Sequence, residues 1–131
     1  MQSSGRVLVC DSINQAGIES MKRAGLQVDY KPEIKADELV KTVKDYDVIV
    51  VRSRTKVTKE VIEASNAKII ARVGVGLDNV DVSAAEAKKI RVINAPEAAS
   101  IAVGELAIGL MISLARSIPR ADAVAKKGHW I

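Results

Sequence analysis

Five short apolar runs, each followed by a polar or mixed segment, divide most of the chain. Most of the runs are rich in Val and Ile, as is typical of strands buried in a parallel sheet. The predicted strands are Arg6–Cys10, Leu26–Tyr30, Val48–Val51, Ala67–Val73 and Arg91–Asn94. The third run is wholly apolar, and we therefore expect it at the centre of the sheet.

The segments between these runs predict helices, because apolar positions recur there at helical spacing. Short polar side chains mark their starts, and we expect Asp11-Ser12, Asp37 and Thr58 to cap three of them. Alternating strands and helices predict an α/β fold with helices on both faces of the sheet. The right-handed crossover rule then favours a flavodoxin-like strand order.

The segment from Ser100 to Arg116 has a different pattern, since it is nearly all apolar and is interrupted only by Glu105 and Ser113. It is shorter than the roughly 20 residues that span a bilayer, and it contains Glu105, so we expect no membrane partner. A helix without a polar face is normally buried. We therefore expect it to pack against a second domain or subunit. The chain ends at Gly128–Ile131 without a cap or polar tail, and we expect the parent protein to continue.

Composition limits the partners, metal sites and cellular location that we expect for this domain. The net charge of +4 is spread over interspersed acidic and basic residues, which gives no reason to expect a nucleic-acid partner. One cysteine, Cys10, and one histidine, His129, are too few for a disulfide framework or a structural zinc site. The first residues up to Arg6 are polar and have no signal-peptide pattern. We expect a cytoplasmic protein that binds no metal.

Two loops carry the candidate chemistry. Gly74-Val75-Gly76 follows the fourth strand, but the third glycine of a dinucleotide fingerprint would fall at Asn79. This partial match leaves two interpretations open, a ligand contact or a tight turn between strand and helix. A flavin carrier would need more than the chain's three aromatic residues, Tyr30, Tyr46 and Trp130.

The second loop, Arg52-Ser53-Arg54-Thr55, follows the third strand. In a parallel sheet it would leave from the same carboxyl edge as the Gly-Val-Gly loop. Two guanidiniums, two hydroxyls and nearby backbone N–H groups are suited to a small anion. The alternative is an ordinary solvated loop.

Four blocks carry a resemblance to a known family: Val50–Thr58, Ala71–Asp81, Val92–Pro96 and Val103–Ala107. Their order and spacing resemble the amino-terminal part of the NAD-dependent D-2-hydroxyacid dehydrogenases. The resemblance implies that residues 1–98 form a flavodoxin-like substrate domain, completed by a later return of the chain. Residues 99–131 would then lead to an absent NAD-binding Rossmann domain. The family's catalytic Arg, Glu and His would lie beyond residue 131, so the resemblance implies that this chain alone is inactive.

The resemblance also implies roles for residues in the two loops. Arg52 and Ser53 would face the anionic groups of the substrate, and the backbone of Gly74, Val75 and Gly76 would bind its carboxylate. The implied substrate is a small 2-hydroxy acid, 3-phosphoglycerate, oxidised at its 2-hydroxyl in the first step of serine synthesis.

The cofactor implied by the resemblance is NAD, with Val75 near the nicotinamide and Ser100 and Val103 approaching from the apolar helix. Ala99 stands where many relatives have a polar side chain near the substrate, so a glyoxylate/hydroxypyruvate reductase remains an alternative. A homodimer through residues 100–116 is also implied. The competing hypothesis is a non-catalytic α/β module that self-associates through this helix.

Overall fold

The computed structural model describes residues 5–130, which include a parallel five-stranded sheet. The strands are β1 (Arg6–Val9), β2 (Gln27–Tyr30), β3 (Val48–Val51), β4 (Ile69–Arg72) and β5 (Arg91–Asn94). Their order across the sheet is β2-β1-β3-β4-β5. This order confirms the flavodoxin-like prediction, with the wholly apolar third strand at the centre.

Six helices accompany the strands in the described residues. They are α1 (Gln15–Arg23), α2 (Ala36–Thr42), α3 (Lys59–Ala64), α4 (Val82–Ala87), α5 (Ser100–Ala115) and α6 (Ile118–Ala125), with a 3₁₀ turn at Val43–Asp45 after α2. The chain forms two compact units that divide between Pro96 and Glu97. The sheet with α1–α4 belongs to the first unit, and α5 and α6 belong to the second.

Of the three helix caps predicted from the sequence, only Thr58 is confirmed: its side chain accepts a hydrogen bond from the Val61 amide. Asp11-Ser12 do not cap α1. That role belongs to Asn14, whose Oδ1 accepts from the Ala16 amide at 2.9 Å. Asp37 lies inside the first turn of α2 and is not its cap. A carboxylate in the first turn still interacts favourably with the positive end of the helix dipole.

Alternation along the central strands divides their side chains between two cores. Leu8 and Ile49 belong to the larger core, which includes residues of α2, α3 and α4. Val7 and Val50 belong to the smaller one, against which Met21 of α1 packs. Helices therefore lie on both faces of the sheet, as predicted, but the cover is unequal.

The unequal cover leaves apolar side chains of the sheet exposed beyond α1. Ile93 of β5 is in register with Ala71 of β4, which packs against the smaller core, yet Ile93 is 41% exposed. An isoleucine at this position in a sheet would normally lie under a helix. This part of the sheet face is uncovered in the first unit.

In the second unit, α5 has no buried residue, and its exposed apolar side chains include Ile101 and Leu114. Within residues 5–130, no single helix is long and apolar enough to cross a membrane. The bent pair α5 and α6, with an angle of 61° between them, satisfies that test by length and composition only.

Candidate functional site

The candidate site of the first unit lies at the carboxyl edge of β3 and β4. Val51 and Arg72, the last residues of these strands, are in register. Two loops therefore leave the sheet side by side: Arg52–Thr55, which we call the Arg52 loop, and residues 73–79, which we call the glycine loop. A parallel bridge between Val57 and Val80 joins the chain again just beyond both loops. The predicted proximity of the two loops is thus confirmed.

The Arg52 loop is folded around the buried carboxylate of Asp11, which follows β1. Asp11 Oδ2 accepts hydrogen bonds from the backbone amides of Arg52 at 2.6 Å and Thr55 at 3.2 Å. Its Oδ1 accepts from the Thr55 hydroxyl at 2.6 Å and pairs with Arg54 Nη2 at 3.1 Å. This engagement explains why Asp11 is not available to cap α1.

Asn79, at the end of the glycine loop, binds the same two residues through their carbonyl groups. Its Nδ2 donates to the Arg52 carbonyl at 2.8 Å and to the Thr55 carbonyl at 2.7 Å. The side chain is buried, and its Oδ1 has no hydrogen-bond partner among residues 5–130. The position that would hold the third glycine of a dinucleotide fingerprint therefore serves to connect the two loops.

The sequence predicted that both arginines and both hydroxyls of the Arg52 loop would be available to a ligand, and this is wrong for two of the four. Thr55 is buried on Asp11. Arg54 Nη2 donates to the carbonyls of Cys10 and Pro32, each at 2.6 Å. These bonds attach the loop to the ends of β1 and β2. Arg52 and Ser53 remain exposed at the carboxyl edge of β3 and β4, which we call the rim.

The glycine loop offers backbone N–H groups. Gly74 has a φ of +145°, a conformation that residues with a Cβ rarely adopt. Its amide donates to the Arg72 carbonyl at 3.0 Å, whereas the amides of Val75 and Gly76 have no partner in residues 5–130. The Val75 side chain is 45% exposed, and its carbonyl accepts from Asn94 Nδ2 at 2.6 Å.

Arg72 is a rim residue that the sequence analysis missed. Its guanidinium lies against Gly74, where a Cβ would overlap it. Its Nε is buried and has no hydrogen-bond partner among the described residues. The signal was present in the sequence, because Arg72 is the one charged residue within the otherwise apolar run Ile69–Val73.

The predicted cofactor contacts Ser100 and Val103 lie in the second unit, on the first turn of α5. The N-cap of this helix is Ala99, which supplies no side-chain hydrogen bond, and the Ser100 amide donates to the Glu97 carbonyl at 3.1 Å. Val103 is 61% exposed. The first unit brings together Arg52, Ser53 and the Gly-Val-Gly segment, while these two residues belong to the other unit.

Cys10 is close to the Arg52 loop but is a poor nucleophile. It is fully buried at the end of β1. Burial raises the pKa of its thiol to about 12, and the neighbouring negative charge of Asp11 adds to that effect. Because only a thiolate is strongly nucleophilic, this thiol is unsuited to covalent chemistry.

Residues 7–126 match the family described as D-isomer specific 2-hydroxyacid dehydrogenase, catalytic domain. The chain belongs to this family. It is 48% identical over 126 residues to the D-3-phosphoglycerate dehydrogenase of Methanocaldococcus jannaschii, covering 95% of this chain and 24% of the relative. It is also 46% identical over 127 residues to the hydroxypyruvate reductase of Thermotoga maritima, covering 95% of this chain and 41% of that protein.

A solved structure of the same family has a similar fold. The 3-phosphoglycerate dehydrogenase of Entamoeba histolytica, solved with NAD+ bound, aligns with a TM-score of 0.72 and 33% identity. The alignment covers 85% of this chain and 39% of that one. The family resemblance expected from the four sequence blocks is therefore confirmed. The chain spans about a quarter of the length of the curated D-3-phosphoglycerate dehydrogenases it matches.

Proposed function

We propose that this chain is the substrate-binding part of an NAD-dependent D-2-hydroxyacid dehydrogenase that oxidises 3-phosphoglycerate at its 2-hydroxyl, in the first step of serine synthesis. The observation that carries the proposal is the rim at the carboxyl edge of β3 and β4. There the exposed Arg52 and Ser53 lie in the loop adjacent to the amides of Val75 and Gly76, which have no partner among residues 5–130. A carboxylate or phosphate would satisfy these donors.

The residues of the rim have complementary roles in this proposal. Arg52 supplies a planar fork for an oxyanion, and the Ser53 hydroxyl adds a donor beside it. Gly74 gives the backbone a conformation that presents the next two amides to the substrate carboxylate. Arg72 is a second cation for the same ligand, and its unsatisfied Nε favours this role because a buried donor without an acceptor is costly.

For the cofactor, we propose that Val75 contacts the nicotinamide of NAD and that Ser100 and Val103 approach it from α5. The exposed apolar side chain of Val75 fits such a contact. The Gly-Val-Gly segment does not fit a complete dinucleotide site, because Asn79 replaces the third glycine and is engaged by the Arg52 loop. When bound, NAD would accept the hydride from the substrate.

The division of labour in the parent protein is part of the proposal. Residues 1–98 are the substrate domain, and residues 99–131 lead towards an NAD-binding domain. The catalytic Arg, Glu and His are expected beyond residue 131, in a cytoplasmic enzyme. The uncovered face near Ile93 supports a later return of the chain to the sheet. We expect no NADH formation when this chain is incubated with NAD and 3-phosphoglycerate, and turnover above a buffer blank would contradict this.

The substrate is proposed as 3-phosphoglycerate because relatives named D-3-phosphoglycerate dehydrogenase are similar over 95% of the chain. The alternative is hydroxypyruvate or glyoxylate, which is favoured by the Thermotoga maritima relative and by the apolar Ala99. A phosphate-bearing ligand would use more of the cationic rim than glyoxylate, which has a single negative charge. Competition between 3-phosphoglycerate and hydroxypyruvate for the same amide shifts would rank the two substrates.

The proposed function is tested by an amide-shift NMR titration of this chain with 3-phosphoglycerate, and separately with NAD. We expect saturable shifts confined to residues 52–55 and 74–76. Replacing Arg52→Gln should weaken binding by about tenfold or more, because a charge-assisted hydrogen bond is lost. Arg23→Gln, at the end of α1, removes the same charge elsewhere and should leave binding unchanged. A flat titration with a well-dispersed spectrum would refute a preserved substrate half-site.

A second candidate function is supported by the exposed apolar side chains of α5. In this alternative, the chain is a non-catalytic module whose partner is a second copy of itself. A helix surface that is apolar apart from Glu105 and a few small residues is unusual unless it forms an interface. The same helix would form the dimer interface of the parent enzyme, so self-association and substrate binding are compatible properties.

A further inference from the structure

Asp11 and Asn79 bind the two ends of the Arg52 loop in complementary ways, one as a hydrogen-bond acceptor and the other as a donor. The Asp11 carboxylate accepts from the N–H groups of Arg52 and Thr55, and the Asn79 side-chain amide donates to the carbonyls of the same two residues. Both polar groups of each terminal residue are therefore fixed. The amides of Ser53 and Arg54, between them, have no partner among residues 5–130.

Burial makes this arrangement stiff. Asp11 is 2% exposed and Asn79 is 9% exposed, so neither side chain can exchange its protein partners freely for water. A buried carboxylate that loses its donors incurs a large desolvation cost. Arg54 adds a further restraint, since its guanidinium spans from Asp11 to the carbonyls of Cys10 and Pro32. The loop has little freedom to change shape without breaking several buried bonds together.

The glycine loop has no equivalent support between Val75 and Leu77. The Val75 carbonyl accepts from Asn94, whose side chain is itself exposed, and the Val75 and Gly76 amides have no internal partner in the described residues. Local order follows the number of buried bonds that must break for a segment to move. The Arg52 loop is therefore held by more buried hydrogen bonds than the glycine loop.

We propose that Asp11 and Asn79 are positioning residues that preform the Arg52 half of the anion site within this chain. Neither touches the ligand; each acts through the backbone of the Arg52 loop. The glycine half becomes ordered only when a ligand carboxylate binds its free amides. The inference rests on the proposed function for the identity of the ligand, but the state of the loop is a separate, measurable property. Preorganisation lowers the entropy lost on binding and so increases affinity.

The test uses two isosteric variants and two matched controls. Asp11→Asn puts an amide N–H₂ among hydrogen-bond donors, and Asn79→Asp puts a carboxylate oxygen against two carbonyls. The controls make the same exchanges at the amino edge of the sheet. Asp47→Asn affects a carboxylate that accepts from the Arg6 amide at 2.9 Å. Asn66→Asp affects an amide that donates to the Lys44 carbonyl at 2.9 Å.

Backbone ¹⁵N relaxation of the ligand-free proteins is the readout that general destabilisation would not move selectively. We expect order parameters near 0.85 for the amides of Ser53 and Arg54 in the unsubstituted chain, and values below about 0.6 in the two site variants. The controls should keep the unsubstituted values. Dissociation constants for 3-phosphoglycerate should rise roughly tenfold in the site variants and stay within about twofold in the controls.

Hydrogen exchange of the unsubstituted chain keeps the inference testable if a variant fails to fold. The amides of Arg52 and Thr55 should exchange as slowly as strand amides, and those of Val75 and Gly76 quickly. Equal exchange in both loops, or an Arg52 loop that stays rigid in both site variants, would overturn the inference. If the unsubstituted chain binds no 3-phosphoglycerate, the proposed function fails, and relaxation and exchange still decide whether the loop is preformed.

Discussion

At the residue scale, the turn after β4 depends on Gly74. Its φ of +145° lies outside the range that other residues adopt easily, and Arg72 occupies the space that a Cβ would need. Gly17, in the first turn of α1, has neither constraint: an added Cβ there would meet Ile13 at an ordinary distance of 3.9 Å. The two glycines therefore allow the same substitution to be compared in opposite structural contexts.

We expect Gly74→Ala to lower the free energy of unfolding by roughly 1–3 kcal/mol, because it imposes backbone strain and displaces Arg72. Gly17→Ala should raise it by roughly 0.5–1 kcal/mol, as alanine loses less entropy on forming a helix. Urea unfolding followed by circular dichroism measures both. A neutral Gly74→Ala variant with unchanged amide shifts at residues 72–76 would show that the turn tolerates a side chain.

Arg52 and Arg54 show that the local sequence does not predict which side chain of a loop is available to a ligand. Both follow the same strand, two positions apart, and the sequence gives them equal standing as anion ligands. Both are exposed, but their partners separate them: Arg54 is bound by Asp11 and by carbonyls of two other segments, whereas the Arg52 guanidinium makes one long hydrogen bond, to the Ser12 carbonyl at 3.4 Å. These partners are about 20 to 45 positions away in the chain. No local pattern contains that information, because it arises only once the sheet has formed.

At the element scale, the carboxyl end of α3 is capped by a side chain from a neighbouring helical segment. Lys88, immediately after α4, donates through Nζ to the carbonyls of Ile62 at 2.9 Å, Glu63 at 2.7 Å and Ser65 at 2.5 Å. The last carbonyls of a helix have no partner within it, and a cation there also interacts favourably with the helix dipole. Lys88 thus replaces a local cap and joins α3 to α4.

Lys88→Met keeps the length of the side chain and removes its donors, and we expect it to lower the free energy of unfolding by about 1 kcal/mol. Lys59→Met, which disrupts only an exposed ion pair with Glu63 at 3.7 Å, is the control and should change stability by less than about 0.5 kcal/mol. Thermal and urea unfolding measure both changes. Equal effects of the two substitutions would mean that Lys88 contributes no more than an ordinary surface charge.

The strands could be predicted from the sequence where the local pattern of apolar residues determines them. Val48–Val51 and Arg91–Asn94 have the predicted bounds, and the strand order is the one that the right-handed crossover rule favoured. Helix starts were less predictable, since Asp11 could have capped α1 but instead binds the Arg52 loop. A short polar residue after a strand has several possible partners. Tertiary packing selects among them.

At the scale of the whole molecule, apolar surface remains uncovered on both units. Ile93 is 41% exposed on the sheet, while Leu106 and Leu110 of α5 are 63% and 60% exposed. The sequence predicted a nearly all apolar helix, interrupted by Glu105 and Ser113, but contains nothing that names its partner. A second copy of the chain is the proposed partner, because an apolar helix can form a self-complementary interface about a twofold axis.

We expect the chain to dimerise in the high micromolar range through α5, as measured by sedimentation equilibrium and light scattering. The double substitution Leu106→Glu with Leu110→Glu should raise the dissociation constant of the dimer by at least about tenfold, because two unpaired carboxylates would be buried in the interface. Ile93→Glu is the matched control on the sheet face and should leave the dimer intact. A monomeric unsubstituted chain would contradict self-association altogether. If only Ile93→Glu abolished the dimer, the interface would lie on the uncovered sheet face and not on α5.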